Sequence, residues 1–178
     1  MKRSVAVRLL GTTCLVLSCL ALASSGNAEA LLSPSPLADL AYSLRTPEAV
    51  AHYMWRHFAY ESDQVHFAQE DRWQSPEELM TSGRGDCEDF ALFAHEILSR
   101  NRIPSFLLSL YGRGYGHTVC VFKEGGRYNV IDGVRLRRYG AGTLEGLFEE
   151  IYPFWKKAAI VGLSSSGQPA VLKQFKKE

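Results

Sequence analysis

From Thr46 onward the apolar positions of the chain recur first at helical and then at strand spacing. Thr46-Pro47-Glu48 has the form of an N-cap, a proline at the first helical position and an acid in the first turn. Val50, Tyr53, Met54, His57 and Phe58 then recur at intervals of three and four, the stripe of a helix with one buried face. Ser75-Pro76-Glu77-Glu78 is a second start signal, a capping box, for a short helix that Gly83 ends. A third helix begins at Gly85 or Asp86, carries Ala91, Ala94 and Leu98 with Ile97 nearby, and stops at "NRIP". The period then falls to two. "SFLLSLYG", "HTVCVFK" and "RYNVID" predict three strands, the last two joined by a hairpin turn at Glu124-Gly125-Gly126-Arg127. Thr143 caps a further helix through roughly Lys157, disturbed by Pro153, and "AAIVGL" predicts a last strand. "SPSPLADL" reads as a proline-punctuated lead-in, and "FAYESD" with "HFAQEDRW" as an ordered loop with aromatic plugs. Helices followed by an antiparallel sheet make an α+β domain over residues 31–163, with residues 164–178 as a polar tail and no internal repeat.

Composition changes this picture mainly at the N-terminus. Lys2, Arg3 and Arg8 precede an apolar run from Leu9 to Ala23 and the small-x-small triplet Ala28-Glu29-Ala30, the three parts of a signal peptide over residues 1–30. The run is too short for a comfortable membrane span, so no span is expected after cleavage. The competing reading is a lipid anchor on Cys19, which follows "VLS". Either way the mature protein is expected in the periplasm or secreted. The net charge is +1, and without the segment's basic residues it falls to about −1, so nothing favours a nucleic-acid partner. The 46% of hydrophobic residues suffices for a packed core. Nothing in the sequence fixes an oligomeric state.

Removing residues 1–30 leaves two cysteines, Cys87 and Cys120. In an oxidising compartment a disulfide between them is one reading. The other is catalytic. Cys87 opens a helix, His117 opens the second strand and Asp132 closes the third, across the hairpin. Adjacent antiparallel strands bring a His and an Asp into contact, and a helix N-terminus packed on them presents the thiol to the imidazole. The helix N-terminus and an imidazolium both lower a thiol's pKa. Successive side chains on a first turn splay by about 100°, so Glu88 and Asp89 need not point at the sulfur. The Cys87 N–H would be one oxyanion donor, with Trp73 or Gln74 as the source of a second. Strand alternation puts His117, Val119 and Val121 on one face and Thr118, Cys120 and Phe122 on the other, which turns Cys120 away from Cys87 if His117 meets it.

"DRWQSPEELMTSGRGDCEDFALF", then "GHTVCVF" and "YNVIDG", resemble the transglutaminase-like fold, and more narrowly the bacterial transglutaminase-like cysteine peptidases. The shared pattern falls on Trp73, Pro76, Glu78, Gly85, Asp86, Cys87, Glu88, Asp89, His117 and Asp132, within residues 73–133. The resemblance implies a papain/transglutaminase-like core and a Cys-His-Asp triad acting on amide bonds of a protein or peptide through a thioester. Hydrolysis and acyl transfer share that intermediate. Some members bind calcium beside the cysteine, so Asp86, Glu88 and Asp89 fit either a Ca²⁺ site or first-turn acids serving the helix dipole and cap. No EF-hand spacing is present. His52, His57, His66 and His95 show no zinc-like spacing. Arg135, Arg137 and Arg138 fit a solvated strand end or a landing place for an acidic substrate tail. Beside the thiol enzyme, a non-catalytic binding module that keeps the same fold stays open.

Overall fold

Caps and prolines place the helices in the computed structural model, which describes residues 35–68, 71–165 and 167–177. The signal segment expected over residues 1–30, Cys19 included, lies outside the described residues. Ser35 accepts the Ala38 N–H and opens α1 (Pro36–Ser43), so the expected lead-in is in fact a helix whose Leu37 and Ala41 are buried. Thr46 caps α2 (Pro47–His57) at the expected residue. A two-residue strand β1 (Ala59–Tyr60) and one turn of helix α3 (Asp63–His66) occupy the predicted loop. The Ser75–Glu78 capping box starts α4 (Pro76–Ser82), and Gly83 ends it with φ 65°, a left-handed conformation that favours glycine. Strand β2 (Arg84–Gly85) then leads straight into α5 (Cys87–Arg100). Phe93, Ala94, Ile97 and Leu98 of α5 are fully buried.

The chain next runs through β3 (Ser105–Gly112), β4 (Tyr115–Glu124), β5 (Arg127–Asp132), β6 (Arg135–Ala141), α6 (Leu144–Ile151), β7 (Lys157–Leu163) and β8 (Pro169–Lys176). The six strands form one antiparallel sheet in the order β6-β5-β4-β3-β7-β8. Leu107, Cys120, Phe122 and Ile131 pack from one face against α1, α2 and α5. Leu108, Val119, Val121 and Val130 pack from the other against Leu147, Phe148 and Trp155. The domain is thus the expected α+β type, with helices on both faces of the sheet.

Three expectations are corrected. The tail expected over 164–178 contains β8, whose Phe175 meets the Phe148 ring edge-on at 5.2 Å. An edge strand tolerates lysines on its open side, which hid its period. Residues 135–141, read only as a basic patch, form the opposite edge strand β6. Helix α6 ends at Ile151, ahead of Pro153, and Lys157 already belongs to β7. Among the described residues no helix is long and apolar enough to cross a membrane.

Candidate active site

Parallel pairing of β1 with β2 (Ala59↔Arg84, Tyr60↔Gly85) sets the approach to α5 and carries Tyr60 alongside Cys87. Asp86 is the N-cap of α5 and Cys87 its first residue. The turn is seated on Asp89. Asp89 Oδ1 accepts the Gln74 N–H at 2.7 Å, and Oδ2 accepts the Gln74 Nε2–H at 2.7 Å and the Asp86 N–H at 3.2 Å. Asp89 and Gln74 are each 1% exposed. A Cβ on Gly85 would stand 2.5 Å from Asp89 Oδ2, so only glycine lets the chain pass so close.

The pairing of β4 with β5 runs from Glu124↔Arg127 to Cys120↔Ile131. In that register Asp132 comes opposite Val119, and His117 is its diagonal neighbour on the same face. His117 Nε2 and Asp132 Oδ1 lie 2.7 Å apart. Cys87, His117 and Asp132 line one hollow of about 310 Å³ at this end of the sheet. Tyr60, Phe90 and Val134 form its apolar wall, and Arg135 and Arg137 of β6 its basic side.

The hydrogen bond to His117 holds the Asp132 carboxyl below its ordinary range, with Arg137 and Arg135 adding to the effect. The thiol behaves otherwise than its helix position predicts. Burial pushes the Cys87 thiol up, and Glu88 adds its charge and a hydrogen bond, Sγ donating to Oε2 at 3.0 Å. The Thr118 backbone N–H pulls in the opposite direction. The Glu88 carboxylate does point at the sulfur, contrary to the splay argument.

Several acids share that neighbourhood. One oxygen each from Asp63, Asp86 and Asp89 lie within 4.8 Å of one another, as do those of Asp63, Asp71 and Glu88. Asp63 Oδ1 and Asp86 Oδ1 are buried without a hydrogen-bond partner among the described residues. Burial raises Asp63, Glu88 and Asp89, the last to about 6. Asp63, 2% exposed and held by the Arg72 N–H, was missed in the sequence. It lies far upstream of the motif, and only a buried acid inside an aromatic loop could have flagged it. The structure does not bring Trp73 or Gln74 to the hollow. The Gln74 N–H groups are committed to Asp89 and the Arg84 carbonyl, and Trp73 lines a different hollow with Asp71 and Arg72. Cys87 and Cys120 are both free thiols. Of the other histidines, His66 pairs with Glu61 and His95 hydrogen-bonds Ser105, each a local structural contact.

The sequence model of the bacterial transglutaminase-like cysteine proteinases (BTLCP) matches residues 29–132. Among solved structures, calcium-bound LapG of Legionella pneumophila is 22% identical, with TM-score 0.47, over 80% of this chain and 77% of that one. The EGTA-treated form of the same protein is 21% identical, with TM-score 0.47, over 76% and 77%. A cysteine-protease candidate from Cytophaga hutchinsonii is 16% identical, with TM-score 0.45, over 79% of this chain and 49% of its own. Among curated proteins none matches the chain.

Proposed function

The chain belongs to the bacterial transglutaminase-like cysteine proteinases, and on that premise we propose that it hydrolyses amide bonds of a protein or peptide with Cys87 as nucleophile, His117 as base and acid, and Asp132 as the orienting carboxylate. The observation that carries this reading is the His117–Asp132 pair at 2.7 Å in the hollow that also holds Cys87. Nε2 is held by the carboxylate, so proton exchange with the thiol falls to Nδ1. The Cys87 proton passes to Nδ1 and the thiolate adds to the substrate carbonyl. The Cys87 N–H donates to the developing oxyanion. Collapse breaks the C–N bond, and the imidazolium returns the proton to the departing amine. His117 then takes a proton from water, the resulting hydroxide displaces sulfur from the thioester, and the thiol is restored with a free carboxylic acid.

The acids beside Cys87 fit a Ca²⁺ ion. The buried oxygens Asp63 Oδ1 and Asp86 Oδ1, which accept no hydrogen bond among the described residues, suit a cation better than a finished hydrogen-bond network. Asp63, Asp86 and Glu88 would hold it, while Asp89, whose oxygens already accept three N–H groups, anchors the turn. The ion would neutralise carboxylate charge packed against the thiol. Export through residues 1–30 to the periplasm or medium completes the reading, with lipid attachment at Cys19 as its alternative. The test is activity-based labelling of purified mature protein with a peptide electrophile, with and without calcium. Labelling of Cys87 that is lost in His117→Ala supports the triad. Labelling that ignores His117, or none in either condition, leaves the binding-module reading in its place.

A further inference from the structure

The hollow at Cys87 has an apolar wall and a basic side, and the basic side has no task in the proposed chemistry. It is built by the tight connection from β5 to β6. Asp132 pairs directly with Arg135 across a two-residue turn in which Gly133 takes φ 54°. Arg135 therefore stands beside Asp132, and Arg137, two residues on, projects from the same side of the strand. Both line the hollow.

The three arginines of β6 are not used alike. Arg138 is closed off, with its guanidinium on Glu124 at 3.0 Å and on Glu48. Arg135 and Arg137 are exposed and have no ion-pair partner among the described residues. Asp132, the carboxylate that shares the hollow with them, is already committed to His117. Two guanidiniums therefore face the reacting sulfur's hollow with their donors available for an incoming acceptor. The hollow has room for one or two side chains of an extended peptide. Its apolar wall includes Tyr60, 70% exposed, which can cover the methylene stem of a long side chain.

We propose that Arg135 and Arg137 recognise a carboxylate of the substrate, so that the enzyme prefers a peptide bearing Glu or Asp beside the scissile bond. The planar fork of arginine suits a carboxylate in two parallel hydrogen bonds. The proposal rests on the reading that Cys87 is the nucleophile. Its rival is that the two arginines only keep Asp132 ionised. In that case their loss would slow every substrate alike and shift the acid limb of the pH profile.

The experiment starts from a degenerate, N-terminally blocked peptide library in which the cleaved bonds are sequenced. One cleaved sequence is then remade with Glu, Gln or Lys at the positions next to the bond. Wild-type protein is expected to cleave the Glu peptide with a kcat/KM about tenfold above the Gln peptide, the order of one charge-assisted hydrogen bond. That ratio should fall to about one in Arg135→Gln/Arg137→Gln. It should invert towards the Lys peptide in Arg135→Glu/Arg137→Glu, and shrink as salt rises from about 0.05 to 0.5 M. Equal turnover of the three peptides by wild type, or a ratio unchanged in the Gln variant, overturns the proposal. A second arm separates its failure from that of the parent reading. Fluorescein-labelled peptide pools carrying Glu or Gln are titrated onto Cys87→Ala by fluorescence polarisation. If wild type cleaves nothing, the peptidase reading falls. Tighter binding of the Glu pool, lost with the two arginines, would then uphold carboxylate recognition, and equal binding of both pools would overturn it.

Discussion

Replacing Asp89 by Ala should destabilise the domain by an amount that shrinks as pH rises. The carboxylate accepts the N–H groups of Gln74 and Asp86 and the Gln74 side-chain amide. Its removal strands two backbone donors in a region where Gln74 is 1% exposed. Each buried donor without a partner costs about 1–3 kcal/mol, so a loss of about 4 kcal/mol is the central expectation. Burial opposes this by raising the Asp89 pKa from 3.8 to about 6. A folded-state pKa above the unfolded value means that the group's linked stability is fully present below about pH 4. It is lost as pH rises through about 6, up to about 3 kcal/mol in all. The variant lacks this titration. The gap between wild type and Asp89→Ala is therefore wider near pH 4.5 than at pH 7.5, by about 2 kcal/mol of that total. At about 2–4 °C per kcal/mol, Tm values of the two proteins should converge by about 4–8 °C across that range. Differential scanning calorimetry in EGTA, which removes any contribution from a cation, measures both curves. A gap that stays constant or widens with pH would refute the reasoning, since Asp89 would then be a net stabiliser only when ionised.

Further outcomes follow from the same geometry. Iodoacetamide should modify half-buried Cys87 in the native protein and fully buried Cys120 only after unfolding, and Glu88→Ala should speed Cys87 labelling by removing the carboxyl group that accepts the thiol's hydrogen bond; an unchanged rate in time-resolved mass spectrometry would count against that contact. Gly85→Ala should cost about 1–3 kcal/mol in urea unfolding, because its Cβ would sit 2.5 Å from Asp89 Oδ2 and 2.9 Å from Leu79 Cδ1. If Asp63 and Asp86 hold a cation, Ca²⁺ at about a hundred times its Kd should add about 2.7 kcal/mol of stability over EGTA, and Asp63→Asn should abolish most of that gain. Mass spectrometry of protein isolated from its native envelope should find a free N-terminus close to Leu31; an acylated Cys19 or an intact Met1 would contradict cleavage there.

What was legible in the sequence was what local chemistry dictates. Thr46, Ser75 and Asp86 each cap a helix where the pattern places one, since a cap needs only its own residues. The four predicted strands carry period-two apolar runs and appear as β3, β4, β5 and β7. The other two strands of the six-stranded sheet, β6 and β8, are its edges. Their outer sides need no apolar residues, so "RLRRYGA" and "PAVLKQFK" read as basic and polar stretches. Helix α1 was hidden by two prolines, one of which sits at its first position where no N–H is needed. The acid cradle was half legible. Asp86, Glu88 and Asp89 are adjacent in sequence, but Asp63 joins them only because β1 pairs with β2.

The two cysteines show where pattern reasoning stops. Alternation turns Cys120 away from Cys87 if His117 meets the thiol, and the two thiols are unpaired. The reason was nonetheless mistaken. Cys120 points into the cluster formed with Phe90 and Phe93 of α5, the helix that carries Cys87. By alternation His117 and Asp132 belong with Val119 and Val130, on the opposite face. They share a hollow with Cys87 past the last β4–β5 pair, where His117 still pairs with Leu110 of β3 and Asp132 with Arg135 of β6. Cys120 is kept from Cys87 instead by its place farther along β4, beneath the α5 side chains that pack between helix and sheet. Alternation fixes which residues share a face in the middle of a sheet. At its margin, where this site is built, the length of each strand and the point at which its pairing ends decide which groups meet, and neither is written in the period of the sequence.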